Sequence, residues 1–208
     1  MNRTAFSLPA RSQYRTHGGL EVSRAVEQFT GGASRLDDLI DLLDRRRGVV
    51  LSSGTTVPGR YESFDLGFSD PPLRLETTGP NFSLEALNAR GEVLIAFLSD
   101  TLREPCVVIT ERNATRLAGH IVRGAAPVDE DQRTRRASVM SLVRDLVAAL
   151  GANDDPLLGL FGAFAYDLVF QIEDLVPKRA RENDQRDIVL TCRIASWPMT
   201  APPGVAWC

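Results

Sequence analysis

A chain of 208 residues with 43% hydrophobic and 25% charged residues has room for one large domain, or for a domain with an extension, and is too apolar for a disordered segment. Its net charge of −3 leaves no basic footprint, so no nucleic-acid partner is expected. The start, MNRTAFSLPARSQYRTHGG, has no apolar signal region, and the longest apolar run, 157–166, is about half a membrane span, so no membrane partner is expected either. Cys106, Cys192 and Cys208 show no CxxC spacing and no paired framework, which fits a cytoplasmic location.

In chain order, LEVSRAV at 20–26 alternates apolar and polar residues and predicts a strand. SRLDDLIDLLDRRR at 34–47 predicts a helix. Ser34 stands at the cap with Asp37 three residues on, and Leu36, Leu39, Ile40 and Leu43 share one face. Arg45, Arg46 and Arg47 fall in its last turn, where positive charge offsets the helix dipole, and Gly48 supplies the stop. VVLSSG at 49–54 predicts a short strand running into a turn, and YESFDLGF at 61–68 alternates again. NFSLEAL at 81–87 and EVLIAF at 92–97 flank the turn residues 88–91 and predict a hairpin. Pro71-Pro72 separates these strands, and 111–136 is polar without a readable period.

The second predicted helix is ASVMSLVRDLVAAL at 137–150, with Val139, Leu142, Val143, Leu146 and Leu150 on one face and Gly151 at its end. LLGLFGAFAY at 157–166 predicts a buried strand whose Gly159 and Gly162 allow close approach of another backbone. Asp167 is placed to start the short helix that follows. The expected fold is α+β: a mostly antiparallel sheet with two main helices.

The search for chemistry is nearly empty. His17 and His120 have no partner at metal-ligand spacing, and no GxSxG, GxGxxG or P-loop occurs. Asp37-Asp38 and Asp154-Asp155 read as a helix first turn and a loop rather than as an acid/base pair. Two segments stand out. In LSSGTTVPGRY, Ser52 and Ser53 end a strand before glycine-containing turns, where hydroxyls and backbone N–H groups suit a small polar ligand such as an amino acid. In GLFGAFAYDLVFQ, a strand-turn-helix junction sets Tyr166 beside Asp167, which on its own reads as packing plus a helix cap.

These two segments, in this order, resemble the N-terminal region of the chorismate-utilising enzymes anthranilate synthase component I and aminodeoxychorismate synthase. The family's Leu-Leu-Glu-Ser element matches Val50-Leu51-Ser52-Ser53. Its glycine-rich segment ending in Tyr-Asp matches Gly159 to Asp167. THGGLEVSR, LDRRRGVVLSSG, PGRY, DPPL, EALNARGEVL, DDPLLGLFGAFAYDLVFQ and DQRDIVL look like the single-chain bacterial anthranilate synthases, in which synthase and glutamine amidotransferase are fused. The resemblance covers roughly residues 14–190, leaving 1–13 as an N-terminal extension.

The resemblance implies an incomplete portion of the component I fold, packed in the whole protein against a larger chorismate-binding domain and a glutamine amidotransferase domain. The family converts chorismate and glutamine into anthranilate, pyruvate and glutamate in tryptophan biosynthesis, with Mg²⁺. It further implies that Ser53, with Leu51 and Ser52 beside it and Tyr61 after the turn, belongs to a feedback site for L-tryptophan. The family's glutamate is Ser52 here, which departs from its pattern for holding the ligand ammonium. The family's Mg²⁺-binding glutamates, its histidine near the leaving group and its chorismate contacts lie downstream of the matched region. No catalytic residue, no metal ligand and no bound cofactor is therefore expected in this chain, and it is expected to be inactive alone. A fragment of aminodeoxychorismate synthase and a stand-alone amino-acid-binding module stay open beside that reading.

The resemblance stops at DQRDIVL. From Ile194 to Cys208 there is no charged residue, while both tryptophans and three of the twelve prolines fall there. Back-translation with a shift of frame near Leu190 yields Asp-Leu-Pro-Asp-Arg-Leu-Val-Ala-Tyr-Asp-Arg, the kind of continuation the family has. Residues 191–208 are accordingly expected to be a frameshifted tail, with a natural divergent terminus as the rival reading.

Overall fold

The computed structural model describes residues 11–26, 32–52, 65–102, 106–122, 137–173, 175–176, 178–180, 185–193, 199–200 and 206–207. The chain divides into two compact units, Met1–Asp70 with Ala195–Cys208, and Pro71–Ile194. Each holds mixed α and β structure, and among the described residues every strand pairing is antiparallel.

In the first unit, β1 (Arg11–Arg15) and β2 (Glu21–Ala25) form a hairpin. The Thr16 hydroxyl accepts from the Leu20 N–H at 3.1 Å, and Arg15 pairs with Glu21 across the strands. The expected strand at 20–26 is thus present, and β1 begins inside the segment read as an extension. RSQYR has no alternating apolar residues, so nothing in its pattern announces a strand.

Helix α1 (Gly32–Leu43) follows. It starts before Ser34 and ends at Leu43, so Ser34 is not its cap and Arg45–Arg47 lie beyond its last turn. Arg46 instead reaches Asp70 at 3.0 Å. Of the expected apolar face, Leu39 is fully buried, Leu36 and Leu43 are half-buried, and Ile40 is 48% exposed. Gly48 opens the next strand rather than stopping the helix. β3 (Gly48–Ser52) pairs with β4 (Asp65–Ser69), whose Leu66 and Phe68 are buried, and α1 packs on this pair. In the tail, β11 and β12 are two-residue strands, Met199–Thr200 and Ala206–Trp207, that pair with each other; the strands numbered between them and β4 belong to the second unit.

The second unit is built on six strands. They are β5 (Leu73–Thr78), β6 (Asn81–Ala86), β7 (Val107–Arg112), β8 (Arg116–Ile121), β9 (Gly159–Phe164) and β10 (Ile188–Arg193), in the spatial order β7-β8-β6-β5-β10-β9. Alternation sets their faces. On β5, Leu73, Leu75 and Thr77 are buried while Arg74 and Glu76 point the other way. There Glu76 is shared by Arg74 and by Arg186 at 2.8 Å. Leu84, Leu117, Ile188 and Leu190 continue the buried face. Two helices, α2 (Ala89–Thr101) and α3 (Val139–Leu150), contribute the opposing buried side chains: Leu94, Ile95 and Leu98 from one, Leu142, Leu146 and Leu150 from the other.

Helix α3 matches its expectation in its buried face and its end, and starts two residues later, at Val139 rather than at residue 137. Val139, Leu142, Val143, Leu146 and Leu150 are all buried, Gly151 is the C-cap, and Ser138 with Ser141 forms a capping box. Helix α2 overturns the expected hairpin of 81–87 with 92–97. The turn residues 88–91 are a helix start: the Asn88 side chain accepts from the N–H groups of Arg90 and Gly91 at 3.1 and 3.3 Å. A Cβ on Gly91 would lie 2.0 Å from the Pro72 carbonyl oxygen, so glycine is what lets α2 start against the sheet. With α1, α2 and α3 at 12, 13 and 12 residues, the described chain has three main helices rather than two.

The polar region at 111–136 contributes the end of β7 and all of β8, joined at Asn113, whose side chain accepts from Thr115 N–H at 3.0 Å. The expected buried strand at 157–166 is shorter, and it is an edge: β9 leaves Gly162, Ala163 and Phe164 exposed, Phe164 at 51%. Close approach holds at Gly162, where a Cβ would meet the Val189 carbonyl oxygen at 2.0 Å, and not at Gly159, which has nothing within 4 Å. β10 runs past Leu190, with Thr191 and Cys192 still paired to Phe161 and Leu160.

Candidate functional site

The strongest candidate is the end of the β3–β4 pair. Val49 and Val50 are half-buried, whereas Leu51 and Ser52 reach the surface, Leu51 at 48% exposure. Antiparallel register sets Ser52 directly opposite Asp65 and Leu51 opposite Leu66. The Ser52 hydroxyl donates to Asp65 Oδ1 at 2.6 Å. The result is a carboxylate already oriented by a hydroxyl, with the exposed Leu51 side chain on the opposite face of the strand. Such a carboxylate can accept hydrogen bonds from an ammonium group and attract its charge.

Of the four residues expected to form the site, Leu51 and Ser52 are thus adjacent on β3, while Ser53 and Tyr61 lie outside the described residues. Asp65 was missed. Its signal was present in YESFDLGF, where it is an acid on an alternating strand, but its partner depends on cross-strand register. Because the Ser52–Asp65 pair is exposed, Ser52→Ala should change unfolding free energy by less than about 1 kcal/mol, as read by urea denaturation.

The second segment behaves differently from its expectation. Tyr166 begins one turn of 3-10 helix, Tyr166–Leu168, which leads into α4 (Val169–Ile172). Tyr166 is 87% exposed, so it does not serve as packing, and the N-cap is Ala165 rather than Asp167. Asp167 lies in the first turn. Asp154 and Asp155 lie in the loop before β9, as expected, and Asp155 Oδ1 accepts from the Leu157 N–H at 3.2 Å.

Two buried polar groups on or beside β10 were not foreseen. Asp187 is fully buried, and its Oδ2 accepts from Gly79 N–H at 2.7 Å and from Gln171 Nε2 at 2.8 Å. Cys192 is also fully buried, and that burial pushes its thiol up to about 12, against a smaller lowering by Arg193. A thiol so held stays protonated and is no nucleophile. Among the described residues no group of three or more His, Cys, Asp or Glu side chains is placed to hold a metal ion. No helix among these residues is long and apolar enough to cross a membrane.

Comparison with known proteins finds relatives that this chain matches over part of their length. The chain is 40% identical over 178 residues to anthranilate synthase of Azospirillum brasilense, a match covering 86% of this chain and 24% of that protein. It is 28% identical over 144 residues to anthranilate synthase component 1 of Escherichia coli K12, covering 68% and 27% respectively. It is 26% identical over 160 residues to anthranilate synthase component 1 of Vibrio parahaemolyticus, covering 76% and 29%. The chain thus spans about a quarter of the length of these curated relatives. No protein-family model matches it. By these similarities the chain is an anthranilate synthase component I-related sequence, corresponding to part of its relatives' length.

Proposed function

We propose that this chain supplies the N-terminal, regulatory and structural part of an anthranilate synthase, the enzyme that converts chorismate and glutamine into anthranilate, pyruvate and glutamate. The observation that carries this reading is the 40% identity to an anthranilate synthase over 86% of the chain. Leu51, Ser52, Ser53 and Tyr61 contribute one side of a site for L-tryptophan, and the remainder of that site comes from the rest of the enzyme. Asp65 joins the set because it is fixed by Ser52 at the same strand end. In this reading Asp65 accepts from the tryptophan ammonium, taking the part of the acid that the family's Leu-Leu-Glu-Ser element carries and Ser52 does not.

The chain binds neither chorismate nor Mg²⁺ productively, because the family's residues for both lie outside the matched region. Chorismate-binding and glutamine amidotransferase domains are its partners within the whole protein, and the fold is the corresponding portion of component I.

A chimaera tests the regulatory part. Residues 14–190 of this chain replace the matched segment of the Azospirillum enzyme, and anthranilate formation is followed by fluorescence. Tryptophan should inhibit the chimaera, and Ser53→Ala or Asp65→Asn should raise the inhibitory concentration by about tenfold, the loss of one charge-assisted hydrogen bond. An unchanged inhibition curve in both variants would contradict the proposed site.

A further inference from the structure

We infer that residues 166–172 form a strap that opens on its own, with the Gln171–Asp187 hydrogen bond as its latch. Three observations converge on it. First, the strap is weakly packed. None of Tyr166, Asp167 and Leu168 is buried, and Val169, Phe170 and Gln171 are only half-buried. Among the described elements, its 3-10 turn and α4 pack most closely on each other. Segments with so little buried apolar surface open at a lower free energy than the core they border.

Second, the anchor is rigid. Asp187 is fully buried, and its own N–H donates to the Thr77 carbonyl at 2.8 Å. One donor to its carboxylate, the Gly79 N–H, sits in the tight turn between β5 and β6 and cannot leave without unpairing those strands. Another, Gln171 Nε2, is on a side chain of a four-residue helix, which can unwind without unpairing β5 and β6. The two bonds to one oxygen therefore differ in what must move to break them.

Third, the hinge is defined. The Ala165 N–H donates to the Asp187 carbonyl at 2.7 Å, closing the β9–β10 ladder immediately before the strap begins. One residue thus holds the strap twice: its carbonyl fixes the hinge, and its carboxylate holds the far end. Opening unwinds the chain beyond Ala165, breaking the bonds of the Leu168 and Glu173 N–H groups within it, releases Gln171 from Asp187 and leaves Asp187 bound to Gly79. This inference stands apart from the tryptophan reading, since none of its residues belongs to the β3–β4 site.

Amide hydrogen exchange on the full 208-residue chain tests it. The reporters are the N–H groups of Leu168 and Glu173, bonded to the Ala165 and Val169 carbonyls, and the control is the ladder of β10 with β5. In the unmodified chain the two reporters should exchange through an opening that leaves the ladder protected. In Gln171→Ala they should exchange about tenfold to a hundredfold faster, as expected for a hydrogen bond to a charged group. Gln171→Glu should accelerate them at least as much, because it places a second carboxylate against Asp187. Ladder amides should keep their rates in both variants. Reporters that exchange together with the ladder in the unmodified chain, or that keep their rates in both variants, overturn the inference.

Discussion

Leu146→Ala should destabilise the chain by about 2–5 kcal/mol, while Val147→Ala, one residue away, should change stability by under about 1 kcal/mol. Leu146 is fully buried on α3, between Leu142 and Leu150, and all three face the sheet. Truncation there removes apolar contacts and leaves a cavity that flanking leucines, themselves held in place, cannot fill. Val147 is 49% exposed and loses little. Against a typical net stability of about 5–15 kcal/mol, the first change removes a large share and the second does not. Urea midpoints of the two variants, at unchanged slope, measure the difference.

A second large effect concerns pH. Burial raises the Cys192 thiol from its ordinary 9.0 to about 12 in the folded chain. Below about 9 the thiol is protonated in both folded and unfolded chains and contributes no pH dependence. Above that, the unfolded thiol ionises while the folded one stays neutral, so the unfolded state binds fewer protons and stability falls as pH rises. The fall extends from about 9 to about 12, and the shift is worth on the order of 4 kcal/mol at its end. Other groups titrate over the same range, so the quantity to measure is the difference between the unmodified chain and Cys192→Ala. The variant should be less stable at neutral pH through its lost sulfur and should lose less stability on going to pH 11. Parallel pH profiles would contradict a buried neutral thiol.

How much of this was legible in the sequence depended on which physical signal each segment carried. Helix α3 was readable because its apolar residues keep a helical period over three turns and a glycine follows them, although its cap, Ser138, was read as part of the helix. Helix α2 was not, because Val93 to Phe97 is a continuous apolar run, and such a run has no period to distinguish helix from strand. The decisive residue was Asn88, whose role as a cap depends on where its side chain points. Strands β1 and β7 were missed for a related reason. Their side chains are largely exposed or half-exposed, so pairing rather than burial makes them strands. β9 was readable as a strand but not as an edge, since sheet order is a tertiary fact that a lone apolar segment does not encode.

The candidate site divides the same way. Ser52 and Leu51 were visible as the end of an apolar strand, and the family resemblance gave that end its meaning. Asp65 became part of the site only through the register of β3 with β4. Asp187 was invisible for a different reason. A carboxylate in a polar stretch such as DQRD reads as a surface charge, whereas in the fold Gly79 and Gln171 converge on it and help to satisfy it where it is buried. Nothing in sequence spacing links three residues so far apart.

The most direct test of the central reading is anthranilate formation by the purified 208-residue chain itself. It would be supplied with chorismate, Mg²⁺ and excess ammonium, so that no amidotransferase is needed, and followed by anthranilate fluorescence. A chain that carries the regulatory and structural part without the catalytic centre should give no fluorescence above the enzyme-free control, at any enzyme concentration. A rate that rises in proportion to the chain added would show a complete catalytic centre within it and contradict that reading.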